Sequence, residues 1–253
     1  MNTTSVAWDY SALARPYLKR PNYSPAGLDA MLAITKTKTN AAVCDIGSGI
    51  GHLTLPLAQR HFIITAVEPN DEMRKLGAER TRDISNISWH KATGEATGLA
   101  PDSFALVTFG SSFNVTNREL ALRETNRILC KGGWFSCLWN HRDLNDPLQR
   151  EVESLIKKVI PDYDYGTRRE DQTSLIEQSG LFFAPFQIEA PVVHRVSVSD
   201  WVEAWRSHAT LQRQSGAKFN EIVASIENLL VGRGENEIIV PYKTRMWVAQ
   251  TLK

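Results

Sequence analysis

The stretch CDIGSGIGHL, residues 44–53, decides the fold because three closely spaced glycines join two segments of different periodicity. The letters before them, AAVCDI at residues 41–46, are a short apolar run that is typical of a buried strand. The letters after them, HLTLPLAQR, predict a helix with Pro56 in or near its first turn, where a missing N–H group costs least. A strand, a glycine-rich turn and a helix in this order predict a ligand-binding loop at the carboxyl end of the strand.

Strand-like and helix-like segments continue to alternate along the chain. The predicted strands are FIITAVE (62–68), ISWH (87–90), FALVTFG (104–110), WFSCLW (134–139), FQIEAPVVHRVSV (186–198) and the closing NEIIVPYKTRMWVAQTL (236–252). The predicted helices include 69–83, with Asn70 as its N-cap, together with 117–130, 199–208 and 217–234. A turn at residues 131–133 is expected before the fifth strand. This βαβ succession predicts a parallel sheet with helices on both faces and a ligand site at its carboxyl edge.

Three regions are expected within one structural domain. Residues 1–40 form a helical leader that covers the site, residues 41–143 form the core, and residues 144–253 complete the sheet and add helical inserts after strands five and six.

Composition excludes several classes of protein. The chain has 253 residues, a formal net charge of +1 and no apolar run of membrane-spanning length, so neither a nucleic-acid partner nor a membrane partner is expected. The N-terminus lacks the layout of a secretory signal, which favours a cytoplasmic location. The three cysteines have no ligand spacing, and no metal site is predicted.

The glycine spacing indicates which ligand the loop binds. A dinucleotide site uses G-x-G-x-x-G, whereas here the position of the third glycine is taken by His52. Asp45 is an unfavourable neighbour for a pyrophosphate but a favourable one for S-adenosylmethionine, which carries a sulfonium and an ammonium group. Glu68, at the end of the second strand, can accept hydrogen bonds from ribose hydroxyls, and Pro69 and Met73 could pack on adenine.

Four stretches in order resemble the motifs of class I S-adenosylmethionine-dependent methyltransferases, and most closely the type 11 group that acts on small molecules. They are VCDIGSGIGHLTLPLA, AVEPNDEMRKLGAER, ATGEATGLAPDSFALVTFGSSF and ETNRILCKGGWF. The resemblance implies a Rossmann-like, seven-stranded, mostly parallel sheet with an antiparallel last strand.

The resemblance also implies roles for individual residues. The cofactor-binding set it gives, together with the residues chosen above, is Tyr10, Tyr17, Asp45, Gly47, Ser48, Gly49, Glu68, Pro69, Met73, Thr93, Gly94, Glu95, Gly110 and Ser111. Thr93 departs from the family, which often has an aspartate there, so the adenine contact is weaker or falls to a backbone carbonyl.

Residues that bind the methyl acceptor are expected at the carboxyl edge and in the lid. His141 is a candidate general base and Asn114 a candidate catalytic contact. Asn140 and Arg142 are candidate substrate residues that could orient a polar acceptor. Tyr163, Tyr165 and Arg168 are candidates that could stack on or pair with an anionic or planar acceptor. Trp201 and Trp205 are interpreted as core residues, and His208 as structural.

The sequence therefore predicts a methyltransferase (EC 2.1.1.-) that uses S-adenosyl-L-methionine, releases S-adenosyl-L-homocysteine and methylates an O, N or C atom of a small molecule. Two alternatives are a nicotinamide-dependent oxidoreductase and a catalytically silent methyltransferase-fold subunit. The oligomeric state is not predicted.

Overall fold

A single seven-stranded sheet organises the computed structural model, which describes residues 11–253. The strands are β1 (Ala42–Ile46), β2 (Ile63–Val67), β3 (Ile87–His90), β4 (Phe104–Gly110), β5 (Leu129–Arg142), β6 (Phe186–Ser197) and β7 (Glu237–Gln250). Their order across the sheet is β3-β2-β1-β4-β5-β7-β6, and β7 runs antiparallel to both of its neighbours. The predicted Rossmann-like sheet with an antiparallel last strand is confirmed.

Helices connect the strands and form the inserts. They are α1 (Ala14–Tyr17), α2 (Pro25–Thr35), α3 (Thr54–Ala58), α4 (Asp71–Arg80), α5 (Arg118–Ile128), α6 (Pro147–Val159), α7 (Thr173–Gln178), α8 (Val198–Arg206), α9 (Ala209–Ser215) and α10 (Phe219–Val231). The predicted N-cap is confirmed, because the Asn70 side chain accepts a hydrogen bond from the Met73 backbone N–H at 3.0 Å. The predicted inserts are also present, with α6 and α7 after β5 and α8 to α10 after β6.

The two faces of the sheet carry separate hydrophobic cores. On one face, Leu28 and Met31 of α2 and Leu57 of α3 pack with strand residues such as Leu138. On the other face, α5 and α7 pack with alternate residues of the same strands, including Phe135, Cys137 and Trp139 of β5. Residues 11–24 and helix α2, both within the predicted leader, therefore lie in different places: α2 covers a face, whereas Tyr17, Pro21 and Tyr23 reach the carboxyl edge.

A third apolar cluster holds the inserts together. Helices α6, α8, α9 and α10 pack with Val196 of β6 and with Ile238 and Val240 of β7. This cluster lies at the ends of the two long strands and builds a helical wall beside the carboxyl edge of β4 and β5, where the site is found. Within residues 11–253, no helix combines the length and the apolar character needed to cross a bilayer.

The prediction of a turn at residues 131–133 is wrong. Strand β5 begins at Leu129, and its pairing with β4 shifts register between Leu129 and Trp134. Gly132 has φ 71°, and its N–H donates to the Lys253 carbonyl at 3.1 Å, so the glycines form an irregularity inside the strand. At the other end, Asn140 to Arg142 pair with β7 and belong to the strand instead of following it.

Candidate functional site

A cavity lies where the strand order reverses, at the carboxyl ends of β1 and β4. Its walls come from the glycine loop, the turn after β4, residues 17–23, the end of β5 and the helices α8 and α9. This is the place at which open α/β sheets bind ligands. The predicted cofactor residues that line it are Tyr17, Asp45, Gly47, Ser48, Gly49, Gly110 and Ser111.

The glycine loop presents bare backbone to this cavity. Gly47 has φ 63°, and a Cβ there would lie 2.3 Å from Cβ of Ser112, so the turn requires glycine. Gly49 has φ 56°, and the space beside it is open within 4 Å. The loop is tied down by the Gly47 N–H, which donates to the Val67 carbonyl of β2 at 2.8 Å. A ligand can therefore approach the backbone closely at Gly49.

Asp45 lies beneath the loop at the end of β1 and is fully buried. Its carboxylate accepts hydrogen bonds from the hydroxyls of Thr54 at 2.6 Å and Thr108 at 3.0 Å. Burial raises the pKa of Asp45 to about 7 despite these two bonds. A positively charged group in the cavity would favour the ionised form, so the site is suited to bind an ammonium or sulfonium.

Glu68 connects the loop to the end of β2. One carboxylate oxygen accepts the Gly49 N–H at 2.8 Å, and the other accepts the Asn70 N–H at 2.8 Å. Burial raises the pKa of Glu68, while these bonds act in the opposite direction. Glu68 does not line the cavity itself, but Gly49, whose N–H it accepts, does.

The remaining predicted cofactor residues are in contact with other parts of the chain. Met73 is buried with Ala14 and Ile50, and Pro69 is exposed. Gly94 fits tightly against Ile46 and Phe109, while Thr93 bridges to Ala96 and Glu95 accepts the Asn117 N–H at 2.7 Å. None of these residues lines the cavity. Tyr10 lies outside the described residues.

The predicted substrate and catalytic residues of β5 lie on both faces of the strand, because successive side chains point to opposite sides. Asn140 and Arg142 share a face of the strand and line the cavity, whereas His141 lies on the opposite face and does not line it. The His141 Nε2–H donates to the Arg168 carbonyl at 3.2 Å, and burial lowers the pKa of His141 to about 3. Asn140 is used structurally, since its amide donates to the carbonyls of Pro21 and Asn22 at 3.1 and 3.0 Å.

Asn114 and Arg168 also line the cavity, whereas Tyr163 and Tyr165 do not. The Asn114 side-chain oxygen accepts the Trp139 indole N–H at 2.8 Å, which leaves the amide hydrogens of Asn114 for a ligand. Tyr165 hydrogen-bonds Arg142 and Glu153, so it supports the cavity wall from behind.

Several cavity residues were not chosen from the sequence as binding residues. They are Arg20, Tyr23, His52, Trp201, Trp205, His208 and Tyr242. Trp201 and Trp205 are core residues as expected, yet each also faces the cavity. A search for polar or aromatic residues spaced along the face of helix α8 could have found the two tryptophans. For Tyr23 and His52, only the folded arrangement brings the side chain to the site.

The histidines that face the cavity have their nitrogens engaged. The His52 Nε2–H donates to the Tyr17 carbonyl at 2.9 Å, and Nδ1 faces the Asn22 amide at 3.1 Å. His208 Nδ1 accepts the Leu211 N–H at 3.2 Å, which leaves the proton of the neutral ring on Nε2. Burial lowers the pKa of His52 to about 4 and that of His208 well below its usual range. Both rings are therefore neutral and act as hydrogen-bonding groups.

Comparison with known proteins agrees with this architecture. Residues 44–137 match the family model described as a methyltransferase domain of type 11. The ubiquinone/menaquinone biosynthesis C-methyltransferase UbiE of Shewanella oneidensis is 27% identical over 139 residues, which cover 51% of this chain and 55% of that protein. The chain thus spans about half the length of the curated relatives it matches.

Solved structures share the fold at low sequence identity. A putative type II methyltransferase from Anaeromyxobacter dehalogenans has a TM-score of 0.61 and 17% identity, with 91% of this chain and 97% of that chain covered. Phosphoethanolamine N-methyltransferase 2 of Haemonchus contortus, solved with phosphomonomethylethanolamine and S-adenosylhomocysteine, has a TM-score of 0.53 and 16% identity, with 95% and 56% covered. Over residues 44–137 the chain is thus similar to the type 11 methyltransferase domain, and its sheet has the fold of these solved methyltransferase structures.

Proposed function

We propose that this protein transfers a methyl group from S-adenosylmethionine to an oxygen, nitrogen or carbon atom of a small molecule. The observation that carries the proposal is the juxtaposition of the open Gly49 backbone and the buried Asp45 carboxylate at one end of a walled cavity. Residues 17–23 and the helices α8 and α9 wall the cavity, and this enclosure favours a small acceptor over a polymer.

The residues at the loop fit the cofactor by their chemistry. Asp45 offers a carboxylate to an ammonium, Gly47 to Gly49 offer close backbone approach, and Glu68 offers acceptor lone pairs to ribose hydroxyls. When bound, S-adenosylmethionine supplies a methyl group that its sulfonium already activates toward a nucleophile. The residues of this chain therefore need mainly to align the acceptor and exclude water.

The histidines and the carboxylate that line the cavity are poorly placed to act as a general base. Among residues 11–253, the two cavity histidines have no nitrogen free to take a proton, and Asp45 is held by two threonine hydroxyls. We infer that the acceptor brings a nucleophilic atom that needs no strong base, and that Asn114 orients it with its free amide hydrogens. His141 remains a predicted catalytic residue that no contact with the cavity supports.

Calorimetric titration tests the proposal directly. S-adenosylhomocysteine should bind with one-to-one stoichiometry, and NADH should not bind. Release of S-adenosylhomocysteine from S-adenosylmethionine across a panel of small acceptors then separates an enzyme from a silent binding subunit. Binding of NADH in preference to S-adenosylhomocysteine would overturn the proposal in favour of an oxidoreductase.

A further inference from the structure

The part of the cavity away from the glycine loop is strongly basic. Arg20, Arg142 and Arg168 line it, whereas Asp45 at the loop end is the one carboxylate among the described lining residues. The same part of the wall carries apolar and aromatic surface, with Trp201 and Trp205 of α8 facing inward. A cationic acceptor would meet three guanidinium groups here, so the local charge favours an anion.

Arg142 carries donors that no protein group satisfies. Its Nη2 pairs with Glu153 and with the Tyr165 hydroxyl, both at 2.7 Å, and these bonds fix the guanidinium against the Trp205 ring. Its Nε and Nη1 are buried without a hydrogen-bond partner. Buried donors of a charged group are normally paired, and leaving them unpaired is costly.

Arg168 is also surrounded by positive charge. Its Nε is buried without an acceptor, and its guanidinium carbon lies 5.2 Å from the centre of the Tyr165 ring. Burial lowers the pKa of Arg168 to about 10, and the neighbouring Arg20 and Arg142 act in the same direction. A guanidinium placed among other cations in a buried site is expected to gain stability when an anion arrives.

Two neutral donors complete the site. His208 keeps its proton on Nε2, and the Tyr242 hydroxyl accepts the Trp201 indole N–H at 3.1 Å, which leaves its own hydrogen to donate. Both residues line the cavity. The lining thus combines charged and neutral donors with aromatic surface, and it lacks a matching set of acceptors.

Resting on the proposed function, we propose that the methyl acceptor is a small organic oxyanion, and that Arg142 and Arg168 bind its carboxylate or phosphate while Trp201 and Trp205 contact its apolar body. His141 then acts as a positioning residue, since its ring holds the backbone carbonyl of Arg168. Arg20 donates to Ser207 through two of its nitrogens and serves to close the cavity.

The test compares three probes of similar size on the complex with S-adenosylhomocysteine. Benzoate, phenyl phosphate and benzamide are titrated by calorimetry into the wild type, Arg168→Gln and Arg82→Gln, the last removing an exposed arginine that does not line the cavity. Benzoate or phenyl phosphate should bind to the wild type and to Arg82→Gln, and benzamide should not. Arg168→Gln should weaken the anion by about tenfold or more, with the affinity for S-adenosylhomocysteine unchanged. The anion that binds identifies the carboxylate or phosphate as the group recognised.

A second readout shows whether the variant is folded. Without ligand, Arg168→Gln should unfold at a higher temperature than the wild type, because a half-buried charge that the neighbouring Arg20 and Arg142 repel is removed. Equal binding of benzamide and benzoate, no binding of either anion, or equal anion affinity in the wild type and Arg168→Gln would overturn the proposal. Weaker S-adenosylhomocysteine binding by Arg168→Gln would also overturn it, because Arg168 would then serve the cofactor's own carboxylate. Failure of the wild type to bind S-adenosylhomocysteine would instead refute the proposed function.

Discussion

The buried ionised carboxylate of Asp45, beneath the glycine loop, lowers the stability of the ligand-free protein. Burial raises its pKa to about 7, above the ordinary value near 3.8, so the folded chain binds a proton more tightly than the unfolded chain. The stability that this protonation provides is present at low pH and is lost as pH rises through about 7. A bound ammonium would recover it by pairing with the carboxylate.

The pH dependence of cofactor binding follows from this position of Asp45. S-adenosylhomocysteine should bind more tightly as pH rises from 6 to 8, with release of a proton near pH 7, because only the ionised carboxylate pairs with the ammonium. Calorimetry in buffers of different ionisation enthalpy measures the released proton.

The variant Asp45→Asn provides the control. It should flatten the pH dependence, weaken S-adenosylhomocysteine at pH 8 and stabilise the free protein at that pH by an amount on the order of 1 to 4 kcal/mol. Wild-type affinity that is constant from pH 6 to 8 would contradict this role.

Glu68 serves the loop and, by our proposal, the ribose. Glu68→Ala should weaken S-adenosylhomocysteine binding by about 1 to 3 kcal/mol, since charge-assisted hydrogen bonds are lost and the Gly49 amide is released. Calorimetry measures the loss, and Glu72→Ala, an exposed carboxylate in the first turn of α4, is the matched control. An unchanged dissociation constant in Glu68→Ala would remove the ribose assignment.

At the scale of elements, helix α4 packs against strand β3 through a glycine. A Cβ on Gly77 would lie 2.2 to 2.9 Å from three ring atoms of Trp89, so the helix can approach the strand only where it has no side chain. The indole N–H of Trp89 also donates to the Thr81 hydroxyl at 2.9 Å, which fixes the ring in this position.

Gly77→Ala should therefore destabilise the protein by about 1 to 3 kcal/mol through overpacking. The same change in a Trp89→Phe background should be neutral or stabilising, because the clash is gone and alanine favours the helix by about 0.5 to 1 kcal/mol. Equilibrium urea unfolding of the four proteins measures both values. An equal cost of Gly77→Ala in the two backgrounds would show that the contact with Trp89 is not the cause.

The elements could largely be predicted from the sequence because their signals are local. Short runs of apolar and β-branched residues located β1 to β4, and Asn70 located the start of α4, since the N-cap bond joins residues three apart. The start of β5 was missed because Gly132 and Gly133 are typical of a turn, and their place in the strand depends on pairing with the chain's last residues. Tertiary partners decide such positions.

At the scale of the whole molecule, the cavity is closed by segments that are distant in sequence. Arg20 donates to the hydroxyl and the carbonyl of Ser207 at 2.8 and 2.7 Å, so residues 11–24 are joined to the insert that contains α8 and α9. The sequence could predict the glycine loop, whose residues are contiguous, but nothing in it indicates that Tyr23 and His208 face the cavity. Those residues become a site only when the leader and the insert meet.

Breaking this closure should affect both segments together. Arg20→Gln removes two bonds to Ser207, one of them to a backbone carbonyl, so amide exchange should increase in residues 11–24 and in 198–215, and S-adenosylhomocysteine should dissociate faster. Hydrogen–deuterium exchange by mass spectrometry and stopped-flow dissociation measure the two effects. Lys19→Gln is the control, because the neighbouring Lys19–Asp200 pair at 2.9 Å is about 40% exposed at both side chains (41% and 42%) and should contribute less than about 1 kcal/mol. If exchange changes in only one segment, or equally in both variants, then Arg20 does not couple the leader to the insert, and the cavity is closed by the apolar contacts of Trp201 and Trp205 alone.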